Sequence, residues 1–363
     1  MGTDNITVSE QATEDMTVRI VCTASVVIYC VIFVVGTVGN GLVVYVTGFR
    51  MKTTVNSVWF LNLALADFLF TAFLIFSIIA VSKGHHWQFG LVMCKLNSFV
   101  VVVNMFASVF LLTAISLDRC LSTCVVVWAQ NKRTVRKAQL ICAAIWLMAI
   151  VCSTPYATFR TLLDGGGGKI YCAYPVITDT QKWILGIFRF VMAFLIPFLV
   201  ITACYVAIGV RARRLQRTRQ RRSRRIIISV ILAFFFCWLP FHVFSLIELN
   251  TNNQEHIRII KIGGTLSLSL AFLNSCLNPI LYVFMCDEFQ KKLKQSICLV
   301  LESALAEDHL SFMSSRSLSS HLSRISRKSD SSLPVERKGT LTSLSFTEGR
   351  IVNTEERETL STE

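Results

Sequence analysis

Seven blocks of almost unbroken apolar residues divide the chain: 20–48, 57–82, 95–125, 138–159, 181–210, 226–249 and 259–285. At about 1.5 Å of rise per residue, each is long enough as a helix to cross a hydrocarbon layer of ~30 Å, some with tilt. Short polar loops separate the blocks, which is not how the core helices of a soluble protein are spaced. The runs also lack the strict alternation of outer-membrane strands. The pattern predicts an all-α membrane protein, a seven-transmembrane helix bundle over residues 20–285. Past the last block, Phe289, Leu293, Ile297 and Val300 recur at three-to-four spacing opposite Lys291, Lys292 and Lys294. That pattern predicts a short amphipathic eighth helix over 286–301, lying on the membrane surface. Residues 302–363 read as a disordered tail, because 20 of the 53 residues from Ser311 onward are Ser or Thr and few are apolar. Residues 1–19 form an acidic N-terminal arm, with Asp4, Glu10, Glu14 and Asp15 set against Arg19.

Charge gives the blocks a direction. Basic residues crowd alternate loops: Arg50 and Lys52; Lys132, Arg133, Arg136 and Lys137; then nine arginines between Arg211 and Arg225. The intervening loops are poor in them. By the positive-inside rule the N-terminus is extracellular and the C-terminus cytoplasmic, as for a multi-pass protein of the plasma membrane. The net charge of +14 largely reflects this bias. An arginine run between two spans fits the inner leaflet and a protein partner, so no nucleic-acid partner is expected. The polar start lacks a cleavable signal sequence, so the first span is expected to initiate insertion. The sequon Asn5-Ile6-Thr7 predicts glycosylation of Asn5 on the outer side.

Thirteen cysteines suggest no disulfide framework, since most fall inside the spans. Cys94 and Cys172 are the exceptions. Both belong to the oxidising side, and they are expected to bond, tying the loop after the fourth span to the head of the third. Cys22 has no evident partner. Cys298, on the amphipathic helix, is a candidate for palmitoylation. His85 and His86 lack further nearby ligands, and with Trp87 they read as an aromatic plug rather than a metal site. Gly165 to Gly168 precede no nucleotide-binding helix and read as a hairpin turn between 160–163 and 170–174.

Polar groups inside spans are costly and mark function. Asp67 shares its depth with Asn104, Ser108, Asn274, Ser275 and Asn278. Oxygen ligands around one carboxylate suit an allosteric sodium ion, and no other cofactor or metal is expected. Pro240 follows Trp238 in the sixth span and Pro279 follows Asn278 in the seventh; both must distort their helices. Serines beside arginines in the tail, such as Ser315 and Ser326, are candidate kinase sites.

Taken together, Gly39-Asn40, the Leu63–Asp67 run, Cys94 with Cys172, Asp118-Arg119-Cys120, Trp146, Cys237-Trp238-Leu239-Pro240 and Asn278-Pro279-Ile280-Leu281-Tyr282 resemble the rhodopsin-like (class A) G protein-coupled receptors over about residues 20–300. The stretches Met51–Leu63, Pro197–Tyr205 and Asn274–Met285 are similar to the chemoattractant branch of that family, which includes formyl peptide, anaphylatoxin and chemerin receptors, and most similar to the chemerin receptors. The resemblance implies a receptor, not an enzyme. Its ligand would be a chemoattractant peptide or protein, and it would signal through an inhibitory-class heterotrimeric G protein, with receptor kinase and arrestin acting on the tail. By the same resemblance Asp118, Arg119 and Arg222 meet the G protein, while Tyr205, Trp238, Pro240, Asn278, Pro279 and Tyr282 form the activation switch. Cys120 stands where many members carry tyrosine, as is common in this branch. Gln220 stands near where some carry a glutamate, so no ionic lock between helices is expected.

The chemistry of the outer half narrows the ligand. Val100 to Val103 supply no carboxylate to the third span, which argues against an amine. Val102 and Leu185 replace two of the three polar residues by which formyl peptide receptors hold their ligand; Arg189 keeps the third. Arg160 and Arg189 remain, and guanidinium groups pair bidentately with carboxylates. A ligand with a free C-terminal carboxylate is therefore expected, with Glu248, Phe159, Trp183 and Phe244 completing the pocket. The alternatives are a formyl peptide, anaphylatoxin or chemokine receptor, or a ligand-scavenging receptor without G-protein output.

Overall fold

The structure is a computed structural model. It describes the backbone of residues 2–175, 178–215, 220–250 and 254–285, together with Lys291 and Gln295; side chains are described for 16–211 (except 18, 128, 176 and 177), 232–249 and 262–279 as well as those two residues. The acidic arm lies mostly outside the described side chains. The amphipathic segment 286–301, apart from Lys291 and Gln295, and the tail 302–363 lie outside the described residues altogether.

Among the described residues, seven long helices form the bundle. The first, α1, covers Gly2–Tyr45 and continues through a π-helical turn, Val46–Arg50. It is followed by α2 (Val55–Ser82), α3 (Gly90–Cys124), the short α4 (Val126–Lys132) and α5 (Val135–Thr158). A two-stranded hairpin, β1 (Thr161–Asp164) and β2 (Ile170–Ala173), intervenes. Then come α6 (Asp179–Phe190), a π turn at Val191–Leu195 and α7 (Ile196–Leu215), which together make one continuous rod. The last two are α8 (Gln220–Asn250) and α9 (Gln254–Met285). Six of these segments are long and apolar enough to cross a bilayer: Arg19–Arg50, Val55–Ser82, Gly90–Cys124, Val135–Thr158, Asp179–Arg211 and Leu232–Leu249. With α9 they make the seven-transmembrane helix bundle that the apolar blocks predict.

Helix is the form such sequences must take, because lipid offers no partner to a free N–H or C=O. Side chains sort as a lipid solvent requires. On α1, Val27, Val31, Val34 and Val38 point outward and stay more than half exposed, while Tyr29, Ile32, Asn40 and Val43 on the opposite face are buried. Helix starts carry caps. Thr54 accepts from the Ser57 amide at 3.1 Å and its own N–H donates back to Ser57 Oγ at 2.8 Å, a capping box that starts α2. Thr178 and Gln181 repeat the device on α6. The π turn at Val191–Leu195 has an identifiable cause. Pro197 lacks an N–H and its ring crowds the carbonyl four residues back, so the helix widens just before it.

The helix α1 packs on α2 and α9; α3 is central, touching α2, α5 and α7; and α8 lies against α9 and α6. Close approach is set by small residues: a Cβ on Gly36 would sit 2.5 Å from Thr71 Cγ2 and 3.2 Å from Cys276 Sγ. The inner core is built on Trp59, Phe106, Phe234 and Trp238, and a second cluster joins Tyr29, Phe70 and Phe272.

Candidate functional site

Above the bundle the β hairpin acts as a lid. Leu162 pairs with Cys172 in its antiparallel register, and Cys172 is bonded to Cys94 at the start of α3. The turn needs its glycines: Gly166, Gly167 and Gly168 have φ of 80°, 61° and 78°, in the region that side chains disfavour. Asp164 Oδ1 accepts from Gly166 N–H at 2.9 Å and fixes the bend. The loop between α2 and α3 grips the lid's second strand. Trp87 N–H donates to the Ile170 carbonyl at 2.7 Å, and Ile170 N–H donates to His86 Nδ1 at 3.0 Å. Trp87 itself is buried, its indole N–H on the Gly90 carbonyl at 2.9 Å and its ring edge-on to Phe89. Cys22 Sγ lies 3.7 Å from His85 Nε2, and partial burial of that ring pushes the imidazole below the usual histidine range.

Under the lid is a cavity of about 980 Å³, lined among others by Tyr29, Tyr171, Phe241, Phe244 and Phe272. Arg160 and Glu248 line it too. Arg160 Nη1 donates to the Cys172 carbonyl at 3.0 Å and its guanidinium stacks 4.1 Å over the Tyr174 ring, while its enclosed Nε has no hydrogen-bond partner. Arg189, near the end of α6, is half-buried. Its guanidinium lies 4.9 Å over Phe241, its Nε is likewise enclosed and unpartnered, and Glu248 and Arg160 are its charged neighbours. The structure thus brings Arg160, Glu248 and Phe244 to one cavity, while Arg189 packs over Phe241, one of its wall residues, and does not line it. Phe159 ends α5 and Trp183 is 38% exposed on α6; neither lines it. Tyr174 and Phe241, the platforms under the two guanidiniums, carry no sequence signal beyond being aromatic.

Phe241 also connects the cavity to Trp238. Its ring meets Trp238 edge-on at 5.8 Å, and Trp238 meets Phe234 at 6.1 Å. His242, 2% exposed, fills the space between Trp238, Phe190 and Phe194. Pro240 sits within α8 and Pro279 within α9; the latter packs 3.3 Å from where a Cβ on Gly39 would be.

Deeper still, Asp67 is fully buried. Its Oδ2 accepts from Asn278 Nδ2 at 2.6 Å and its Oδ1 from Ser108 Oγ at 3.5 Å. With the Asn104 amide oriented to satisfy both its ends, Nδ2 donates to Asp67 Oδ1 at 3.2 Å and Oδ1 accepts from Ser275 Oγ at 3.3 Å. Asn274 is buried, and Asn40 Nδ2 donates to the Ser275 carbonyl at 2.9 Å. Among the described residues no cation pairs with Asp67.

At the far end, Tyr205 on α7 lies beside Ser116 and within electrostatic reach of Arg119. Asp118 is paired with Arg133 through two bonds of 2.8 Å. Tyr282, Arg222, Asn5 and Cys298 have side chains outside the described residues.

Comparison with known proteins decides the family. The model of the 7 transmembrane receptor (rhodopsin family) matches residues 39–282. The chain belongs to this family. It is 41% identical over 319 residues to chemerin-like receptor 1 of Sus scrofa, covering 82% of this chain and 87% of the relative. It is 41% identical over 286 residues to the C3a anaphylatoxin chemotactic receptor of Danio rerio, covering 78% of each, and 40% identical over 296 residues to prostaglandin D2 receptor 2 of Mus musculus, again 78% of each. The protein is therefore a rhodopsin-family receptor of the chemoattractant branch, a multi-pass membrane protein and not an enzyme.

Proposed function

We propose that this receptor binds an extracellular chemoattractant peptide or protein of the chemerin type by its free C-terminal carboxylate and signals to an inhibitory-class heterotrimeric G protein. One observation carries the reading. Arg160 lines the aromatic-walled cavity, Arg189 packs over its wall residue Phe241, and each keeps an enclosed Nε without a hydrogen-bond partner among the described residues. An enclosed donor left unpaired is costly, and a carboxylate entering between the two forks would satisfy it. Glu248 on the rim suits a basic group further along the ligand. The ligand's weight on Phe241 would pass to Trp238 and open the helix at Pro240, so that Tyr205, Tyr282 and the Asn278-Pro279 turn rearrange and Arg119 and Arg222 reach the G protein. Kinase phosphorylation of the tail would then recruit arrestin. The N-terminus faces outward at the plasma membrane, where Asn5 would be glycosylated; Cys298 would be palmitoylated inside.

The donor set around Asp67 fits an allosteric sodium ion: one buried carboxylate that no described residue's cation pairs, with oxygens of Asn104, Ser108, Asn274, Ser275 and Asn278 as further ligands. The ion would supply the missing positive charge and favour the packed, unliganded arrangement.

A second reading has its own support. A 40% identical relative is named for prostaglandin D2, and two arginines serve a small lipid carboxylate as well as a peptide one. Inhibition of cAMP accumulation in transfected cells separates the two. A synthetic C-terminal peptide of chemerin should act as the free acid and lose at least about tenfold in potency as the amide. Response to prostaglandin D2 alone would favour the lipid reading, and equal potency of acid and amide would exclude the carboxylate role.

A further inference from the structure

At the lid end of the bundle a thiol and an imidazole from distant segments meet. Cys22 Sγ, on α1, lies 3.7 Å from Nε2 of His85, in the loop between α2 and α3. Both residues line the cavity under the hairpin. Gly84 and His85 each have φ of 65°, a left-handed turn that is uncommon for a residue with a side chain. The neighbouring His86 is engaged elsewhere, its Nδ1 accepting from the Ile170 amide of β2 at 3.0 Å. The sequence offers His85 no further ligand nearby; the fold brings one from 63 residues away.

The separation is the one a metal ion needs. Zinc holds a thiolate sulfur at about 2.3 Å and an imidazole nitrogen at about 2.0–2.1 Å, so two such atoms at the tetrahedral angle stand about 3.6 Å apart. We propose that Cys22 and His85 form a two-residue site for a borderline-soft transition-metal ion of the zinc class. Cys22 gives up its thiol proton to solvent, His85 offers the Nε2 lone pair, and no electron is transferred. Among the described residues no third His, Cys, Asp or Glu joins them, so two coordination positions remain for water or for a donor atom of a molecule in the cavity. A thiolate and an imidazole favour such an ion over magnesium or calcium, which take oxygen ligands. The bound ion would tie α1 to the loop whose Trp87 and His86 hold β2. The site is independent of the carboxylate reading, since neither arginine takes part.

Zinc itself is the probe, with the full-length, tag-free receptor in lipid nanodiscs after treatment with a chelator. With half the ligands of a structural zinc site, the dissociation constant is expected at about 1–100 µM. Bound zinc should also raise the thermal midpoint by mass action, and magnesium should not. Cys22→Ser and His85→Asn should each weaken zinc binding by about tenfold or more; asparagine tolerates the left-handed turn. Cys30→Ser, at an exposed cysteine elsewhere on α1, should bind zinc as the wild type does. In the wild type, where folding is not in question, zinc should slow alkylation of Cys22 and leave that of Cys30 unchanged. Zinc affinity that is the same in wild type, Cys22→Ser and His85→Asn would overturn the proposal, since the ion would then bind elsewhere on the chain. Loss in Cys22→Ser alone would overturn the pairing, and so would alkylation of Cys22 at the same rate with and without zinc.

Discussion

Asn278 Nδ2 donates to Asp67 Oδ2 at 2.6 Å, joining α9 to α2 across 211 residues of sequence. The bond places the start of the Asn-Pro turn of the seventh span on the one fully buried carboxylate of the second. Any movement of α9 about Pro279 must therefore break or carry this contact. Asp67→Asn keeps the size but removes the charge. Agonist affinity of the wild type should fall when sodium replaces an organic cation at constant ionic strength, and Asp67→Asn should abolish that dependence. A sodium effect that survives the substitution would remove the ion from the account.

Gly36 reports how closely α1 approaches α2 and α9. With a Cβ placed 2.5 Å from Thr71 Cγ2, Gly36→Val should destabilise the purified receptor by about 1–3 kcal/mol, the usual range for overpacking. Gly209, on α7, meets nothing within 4 Å, and Gly209→Ala should leave the thermal midpoint unchanged or raise it slightly.

The lid depends on its covalent tie. Cys94 and Cys172 close a stretch of 78 residues, and removing a bond of this kind costs about 2–5 kcal/mol. Cys94→Ser should lower surface expression and ligand binding together. Trp87→Ala should lower ligand binding with the disulfide intact, because Trp87 fills the space beneath the hairpin. Binding at wild-type strength in Trp87→Ala would show that the plug is not needed to hold the lid.

The bundle was legible in the sequence because lipid imposes one rule on every span: apolar length. The apolar block at 57–82 and α2 at Val55–Ser82 differ by only two residues at the start, where Thr54 caps the helix in polar surroundings that hydropathy does not register. The Cys94–Cys172 bond was legible because those two cysteines stand outside the apolar interior of the spans on the outer side; Cys22, at the head of the first span, shares that side but was left without a partner. The Gly165–Gly168 run was legible as a turn because few residues tolerate the φ it needs.

Contacts between distant segments were not legible. The pairing of Cys22 with His85 joins residues 63 apart, and that of Arg133 with Asn56 joins residues 77 apart. In both, each residue alone has an ordinary local reading. Arg160 and Arg189 stood out as charges near apolar spans, but Tyr174 and Phe241, whose rings lie under their guanidiniums, looked like any other aromatic. Trp146 to Asn62, at 3.0 Å between α5 and α2, belongs to the same class of tertiary pairing that periodicity cannot foresee.

If Arg160 and Arg189 read a ligand carboxylate, a cycle that pairs one receptor substitution with one ligand change reports it. The affinities of the free-acid and amidated C-terminal chemerin peptide are compared on wild type and on Arg189→Gln, with surface expression matched. The account predicts that the acid binds the wild type at least about tenfold more tightly than the amide, and that this preference collapses to about twofold or less on Arg189→Gln. An acid-over-amide preference that is undiminished in Arg189→Gln, or absent in the wild type, would contradict it.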